Sequence, residues 1–445
     1  MLSFYIHIPF CKTKCPYCSF QVCPFDKMKE NIIPEEIQKY VDAITSEIKH
    51  YSNILDDKQI KSIYFGWGTP QLIWLENIQK ITDTIVQHFD AKDLEEFSIE
   101  MNPYPQDEAL NIVKNLSKKY KDFARVRFSF GIQSFDNKVL SQSGRDITYP
   151  WLVEFLRTLQ KIKQDHNIFN LDFIAFGQFN ESKKWNLQLR NPNSMDFFSK
   201  LSESKFIDSY SVYTLELFPW SLRYYQKKDT NCPPFSKEGT HKVGEDLNPS
   251  SFAEQLPLQK GDIICWSDDD VYEEFAILKD ILLEKWFKRY ELSNFSLLWK
   301  SSIHNRVYRE MWDYIWIWTS ASSFIQKPNE ELRKYLQLKW ASRAVRRNNT
   351  TKLAEYEKWN RLDTVSIQDL SDKDIQIEEF FLSLRTDKWI QDISKYTNIL
   401  VSDYKQKIQS YADQWFISVL EDKIKLTDQW MDIYNDIITE LLQEI

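Results

Sequence analysis

Cys11, Cys15 and Cys18 stand as C-x3-C-x2-C, and four of the chain's six cysteines fall between positions 11 and 23. So few cysteines in so long a chain make no disulfide framework; in a reducing compartment such clustering points to metal or redox chemistry. Three thiolates can hold three corners of a [4Fe–4S] cluster and leave one iron open. If the amino and carboxylate groups of S-adenosylmethionine chelate that iron, the cluster can pass an electron into the sulfonium and break its carbon–sulfur bond, giving a 5′-deoxyadenosyl radical. A structural zinc site competes with this reading. Zinc usually closes four positions, and Cys23 is the one further candidate nearby. Cys232 and Cys265 read as ordinary thiols.

The elements that must position this loop alternate in the first half of the chain. Short β-rich runs at 4–8, 62–65, 97–101, 126–130, 171–176 and 211–217 are separated by amphipathic helical stretches such as 34–55 and 150–164. Alternation of this kind is the signature of parallel βα units, and six of them suit an α/β fold, a partial (β/α)6 TIM-like barrel. The barrel is expected over 1–225. A polar segment at 226–262, too long for an ordinary connection, reads as an insertion loop. An extension of the barrel is expected at 263–328, and a mostly helical, winged-helix-like domain at 329–445, where "FISVLEDKIKLTDQ" carries a hairpin signal.

Composition excludes several function classes. The chain has 445 residues, a formal charge of −8 and no run of five basic residues, which argues against nucleic acid as a partner. The longest stretch free of charge worth testing, 314–325, is about a dozen residues where a membrane span needs roughly 20. "MLSFYIHIPF" has neither the positive segment nor the cleavage site of a signal peptide, so a cytoplasmic location is expected.

"FYIHIPFCKTKCPYCSF" resembles the opening of the radical S-adenosylmethionine proteins related to oxygen-independent coproporphyrinogen dehydrogenase, and more narrowly of the HemW-type haem chaperones. The resemblance continues through "YFGWGTPQLI", "SIEMNP", "FSFGIQSFDNKVLSQSGR", "LDFIAFGQ", "RYELSNF", "HNRVY" and "EEFFLSLR". It implies a cluster on Cys11, Cys15 and Cys18. It also implies that the backbone of Gly66, Trp67, Gly68 and Thr69 lies along the methionine moiety, with Tyr5, Tyr17, Glu100, Gln133, Arg145 and Asp172 in contact with the cofactor or its surroundings. Carboxylates suit an ammonium or ribose hydroxyls, and arginine suits a carboxylate. The first five motifs fall at carboxyl ends of the expected strands, the end of a βα barrel where sites are built.

Within this family the dehydrogenases carry a long extension before the first strand and a fourth Cys two residues after the third. This chain starts almost at the strand and has Phe20 there. Both features favour the chaperone branch over a coproporphyrinogen dehydrogenase-like enzyme. "HNRVY" resembles the chaperones' haem motif and nominates His304 as an axial haem ligand, with Arg309 where the motif has Trp and Ser322 where a His is usual. On residue type alone His304 reads more readily as a solvated loop histidine. The resemblance implies haem as cargo and transient membrane respiratory haem proteins as partners, and leaves monomer and homodimer both open.

One oddity cuts across all of this. The chain holds 8 Gly and 16 Trp, where average usage gives about 31 Gly. Trp67 sits in a loop whose backbone must approach a ligand, and Trp286 and Trp415 at positions following helices where a left-handed residue is usually Gly. The family comparison expects Gly at these and at Trp220, Trp299, Trp312, Trp316, Trp318, Trp389 and Trp430. A source that reads UGA as glycine, translated with a table that reads it as tryptophan, accounts for both counts. A decayed paralogue is the alternative.

Overall fold

A computed structural model describes residues 1–20, 22–25, 33–122, 124–177, 192–216, 268–318, 321–336, 338, 343–349, 356, 366–428 and 431–442. The expected insertion at 226–262, Cys232, Cys265, Trp220 and Trp430 lie outside them.

Six parallel strands form the centre of the molecule: β1 (Leu2–Ile8), β4 (Ile60–Trp67), β5 (Glu96–Met101), β6 (Arg125–Gln133), β7 (Asn167–Ala175) and β8 (Ser209–Thr214). Two short strands, β2 (Phe10–Cys11) and β3 (Cys23–Pro24), pair across the cysteine loop. Beyond β8 the hairpin of β9 (Lys288–Glu291) and β10 (Asn294–Ser296) runs antiparallel. Beyond β1 come β11 (Tyr314–Ile317), parallel to it, and then antiparallel β12 (Ser322–Gln326), β13 (Ala344–Asn348) and β14 (Ser366–Leu370). The result is one sheet of twelve strands in the order β14-β13-β12-β11-β1-β4-β5-β6-β7-β8-β10-β9.

The period-2 alternation of side chains splits each central strand into two faces. On β1, Leu2, Phe4, Ile6 and Ile8 join the main apolar core, while Ser3, Tyr5 and His7 alternate with them. The same alternation recurs as Ser62 and Tyr64, Glu96, Ser98 and Glu100, Arg127 and Ser129, Asn170 and Asp172, and Ser209 and Ser211. These polar side chains bond to one another across the strands: Ser62 to Ser3 (2.9 Å), Arg127 to Ser209 (2.7 Å), Ser129 to Asp172 (2.8 Å) and Asn170 to Ser211 (3.0 Å). The barrel therefore encloses a polar lumen, whereas its outer face is apolar and covered by helices.

Helix Ile33–Ile54 shows how the cover is made. Ile37, Tyr40, Val41, Ile44, Ile48 and Tyr51 recur at helical spacing and are fully buried, each worth roughly 1.5–3 kcal/mol. Glu35 and Glu36 in its first turn suit the positive end of the helix dipole. Helices Trp74–His88, Gln106–Tyr120, Tyr149–Lys161 and Pro192–Glu203 follow successive strands in the same manner.

The C-terminal part is mostly helical as expected, but the helical unit begins past residue 370 and not at about 330. β13 and β14 extend the barrel sheet instead. The arginine-rich strand "AVRRN" is stabilised by partners the sequence hides: Arg346 pairs with both carboxylate oxygens of Glu378 (2.6 and 2.7 Å), and Arg347 with the fully buried Glu47 (3.2 Å). Past these strands, helices Asp372–Ser383, Tyr404–Asp413 and Tyr434–Leu441 and the hairpin of β15 (Ile417–Leu420) and β16 (Lys423–Leu426) surround a separate core that includes Phe380, Tyr396, Ile424 and Ile438. Arg289 ties this unit to the barrel through Asp432 (2.7 Å).

Candidate functional site

The carboxyl ends of β1, β4, β5 and β6 converge on the cysteine loop. Cys11 ends β2, and Cys15 and Cys18 flank a tight turn closed by Cys18 N–H donating to the Cys15 carbonyl (3.0 Å). Thr69 Oγ1 donates to Cys11 Sγ (3.8 Å). Burial pushes the Cys11 thiol up to about 12, with further upward pressure from Cys18 and Cys15, and raises Cys18 likewise. Cys11 and Cys18 are thus costly to ionise without a compensating cation, which a cationic iron cluster would supply, so the thiols gathered on this loop fit the cluster. Among the described residues, no three His, Cys, Asp or Glu side chains are grouped to hold a single metal ion.

The loop after β4 is drawn tight against β1. Gly68 N–H donates to the Ile8 carbonyl (3.0 Å) and Thr69 N–H to the Phe10 carbonyl (2.8 Å). A Cβ at Gly68 would lie 2.6 Å from the Phe10 carbonyl oxygen, and one at Gly66 would meet Tyr64, the Tyr5 hydroxyl and Glu100 at 3.0 Å or less. Close approach of backbones therefore requires glycine at 68, while at 66 it is packed side chains that leave no room for a Cβ. Thr69 also accepts from Asn102 Nδ2 (3.2 Å), and Arg145 donates to Asn102 Oδ1 (2.6 Å) and towards the Tyr17 hydroxyl (3.4 Å). Arg145 Nε is buried with no hydrogen-bond partner. Gln133, with φ of 68°, comes to the same place, since a Cβ at Gly131 would touch both Gln133 Nε2 (3.0 Å) and Arg145 Nη2 (3.2 Å). Such an unpaired guanidinium nitrogen fits a carboxylate-bearing ligand.

Glu100 accepts from the Tyr64 hydroxyl (2.7 Å) and from Trp67 N–H (2.9 Å). Burial raises its carboxyl to about 7, Tyr64 works against this, and Asp172 adds to it. Asp172 is raised mainly by burial and is held by Ser129 and Asn170. Of the expected residues, Tyr5, Gly66, Trp67, Glu100 and Asp172 thus meet inside the barrel. Cys11, Gly68, Thr69, Tyr17, Gln133 and Arg145 meet at its rim.

His304 lies elsewhere. The helix Ile303–Arg309 carries it to the lumen, where it is 1% exposed. Its Nδ1 is 2.7 Å from Ser62 Oγ, which itself donates to Ser3, so Nδ1 is the donor; its Nε2 is 2.5 Å from the Tyr308 hydroxyl. The ring stacks on Tyr64 (4.8 Å between centroids), and burial holds its pKa down at about 3. Both nitrogens are engaged and the ring has no open face, so His304 in this arrangement does not fit an axial haem ligand. The loop histidine read from residue type is likewise corrected: this is a packed, neutral core histidine.

Glu96 is the residue the sequence reading passed over. It is fully buried and accepts from Ser302 Oγ (3.0 Å), Ile303 N–H (3.0 Å) and His304 N–H (3.1 Å), which anchors the His304 helix to β5. Burial alone would raise its carboxyl; Arg125, Arg127 and those backbone donors outweigh it and hold it at about 2. Its signal was the polar period-2 run Glu96, Ser98, Glu100. A cleft of about 510 Å³ lies at the opposite end of the barrel, lined by Met1, Leu2, Asp57 and Trp312 among others. That end of a βα barrel serves stability rather than chemistry.

Residues 5–182 match the model of the Radical SAM superfamily. The chain is 26% identical over 339 residues to the haem chaperone HemW of Buchnera aphidicola subsp. Schizaphis graminum, covering 76% of this chain and 74% of that one. To HemW of Lactococcus lactis it is 23% identical over 445 residues, 99% of this chain and 97% of the relative. The solved structure of coproporphyrinogen III oxidase HemN from Escherichia coli, described as a radical SAM enzyme, superposes with a TM-score of 0.65 at 18% identity, over 98% of this chain and 89% of that one. With the cysteine loop at the carboxyl end of a partial βα barrel, residues 5–182 match the Radical SAM superfamily, and along most or nearly all of its length the chain is similar to the haem chaperones HemW.

Proposed function

We propose that this protein carries a [4Fe–4S] cluster on Cys11, Cys15 and Cys18, binds S-adenosylmethionine beside it, and handles haem as a cargo passed on to respiratory haem proteins. When bound, the cluster supplies one-electron reduction of the sulfonium. The chain's own residues bind and orient. The backbone of Gly66 to Thr69 offers a strand edge to the methionine moiety, Arg145 offers its free Nε to a carboxylate, and Glu100 offers a carboxylate to an ammonium or ribose hydroxyl. Tyr5 and Tyr64 wall the site off from water.

The observation that carries the cofactor reading is the convergence of the three thiols, Thr69 and Arg145 on one rim of the barrel. The cargo reading is supported by the likeness to HemW relatives over nearly the full chain. A cytoplasmic site of action agrees with the described residues, in which no helix is long and apolar enough to cross a membrane.

The test is anaerobic reconstitution with iron, sulfide and reductant, followed by haem titration in one arm and incubation with coproporphyrinogen III in the other. Stoichiometric haem binding without decarboxylation is expected. Decarboxylation without haem binding would overturn the chaperone reading in favour of a coproporphyrinogen oxidase-like enzyme. His304→Ala is expected to leave haem affinity unchanged, because its ring faces the lumen.

A further inference from the structure

Eleven non-glycine residues among those described have positive φ, and six of them are tryptophans: Trp67 (86°), Trp74 (62°), Trp286 (72°), Trp299 (66°), Trp318 (150°) and Trp415 (65°). Tryptophan has a bulky Cβ substituent and is among the residues for which this region is a true outlier. We propose that the protein made in its source carries glycine at these six positions, encoded by UGA, and that glycine at 67 and 318 opens a chamber beside His7 that receives part of the sulfonium cofactor.

The local geometry is what glycine makes. After helix Asp268–Glu284, Trp286 N–H donates to the Leu283 carbonyl and Phe287 N–H to the Leu282 carbonyl (3.0 Å). After helix Tyr404–Asp413, Trp415 N–H donates to the Ala412 carbonyl and Phe416 N–H to the Tyr411 carbonyl (2.8 Å). A bond from the third residue past the helix back to its last turn, with a left-handed residue just before it, is the Schellman ending that glycine favours. The indoles gain nothing in return. Trp286, Trp299 and Trp415 are 79%, 84% and 81% exposed. Trp74 joins the set on its φ. Trp312, Trp316 and Trp389 are absent from it, so backbone conformation does not extend the proposal to them.

Inside the barrel the two remaining indoles form a plug. Trp318 stacks on His7 (3.8 Å, 11°), and Trp67 packs on the other neighbours, Phe20 (3.8 Å) and His7 (4.6 Å). Trp67 Nε1, Trp318 Nε1 and His7 Nε2 are all buried with no hydrogen-bond partner. Buried indole N–H groups normally find an acceptor, so three unpaired nitrogens at one spot mark a space whose occupant is wrong. Two glycines would empty it. The space lies between Gly66 to Thr69 and the cysteine loop, and would be lined by His7, Phe20 and Glu100. Its use by the cofactor rests on the function proposed above; the glycine assignment does not.

Two measurements separate these parts. Peptide masses of protein purified from its source are expected to show glycine at all six positions; tryptophan there overturns the assignment. Separately, the chain as written and its Trp67→Gly/Trp318→Gly variant, both cluster-loaded, are titrated with S-adenosylmethionine by calorimetry. At least tenfold tighter binding by the variant is expected. Equal, measurable binding overturns the chamber. Binding by neither protein, with the cluster present, overturns the proposed cofactor and with it the chamber, while the glycine assignment still stands or falls on the masses.

Discussion

Replacing Trp286, Trp299 and Trp415 together tests the left-handed strain without touching the barrel lumen. A Cβ in the left-handed region costs roughly 1–2 kcal/mol. Glycine relieves this but adds freedom to the unfolded chain, which returns about 0.5–1 kcal/mol. Each indole is about four-fifths exposed, so its removal forfeits only on the order of 0.5 kcal/mol of burial, equally for alanine and glycine. The informative quantity is therefore the gap between the two replacements. It comes to about 0.5–1 kcal/mol per site in favour of glycine, or about 2 kcal/mol for three. With a urea dependence of about 2 kcal/mol per molar, the triple glycine variant should unfold about 1 M later than the triple alanine variant. Circular dichroism during a urea titration measures this. Trp389, whose φ is not positive, is the internal control: there glycine should be no better than alanine. A triple alanine variant as stable as the triple glycine one would refute the reasoning, since the cost would then lie in the indole and not in the backbone.

Three further outcomes are expected. Glu100 has a carboxyl raised to about 7, so in the free protein it holds its proton through the range where an ordinary carboxylate has lost it. S-adenosylmethionine needs the charged form at its ammonium, so affinity measured by calorimetry on a Trp67→Gly background should rise with pH up to about 7 and then level, and Glu100→Gln should flatten that profile. His304, held at about 3, binds its proton in the unfolded chain near 6.5 but not in the folded one; this costs stability progressively as pH falls from about 6.5 towards 3. His304→Ala should remove that pH dependence and lower stability at neutral pH by about 2–4 kcal/mol through the cavity and the stranded Ser62 and Tyr308, read by denaturant unfolding. Cys15→Ala should abolish the iron and visible absorbance retained after reconstitution while leaving the circular dichroism spectrum unchanged, because Cys15 is not part of the core.

Much of the site was legible because its signals are local. C-x3-C-x2-C places three thiols on one loop whatever surrounds it, and six β-rich runs with helical patterns between them leave few arrangements other than a parallel sheet with motifs at the carboxyl ends. Trp286 and Trp415 betrayed themselves by standing just after helices, where the chain must turn left-handed. Trp74 did not, because nothing in "LIWLEN" announces the reversal between a 3₁₀ turn and the helix that follows. The run "AVRRN" carried too little apolar pattern to read as a strand, since its arginines find Glu378 and Glu47 only after folding.

The sequence by itself determined the cysteine loop, the six parallel strands and the excess of tryptophan over glycine, all of which depend on neighbours within a few residues. The tertiary structure alone decided where His304 points and what Glu96 does. Residues 96 and 304 are separated by most of the barrel in sequence and meet because β5 and the helix Ile303–Arg309 pack together, so that a buried carboxylate caps the helix and turns its histidine inward. A motif can name a residue, but whether its ring nitrogens remain free depends on side chains brought to it from elsewhere in the chain. For His304, Ser62 of β4 is brought to Nδ1 by the fold, while Tyr308 of the same helix meets Nε2.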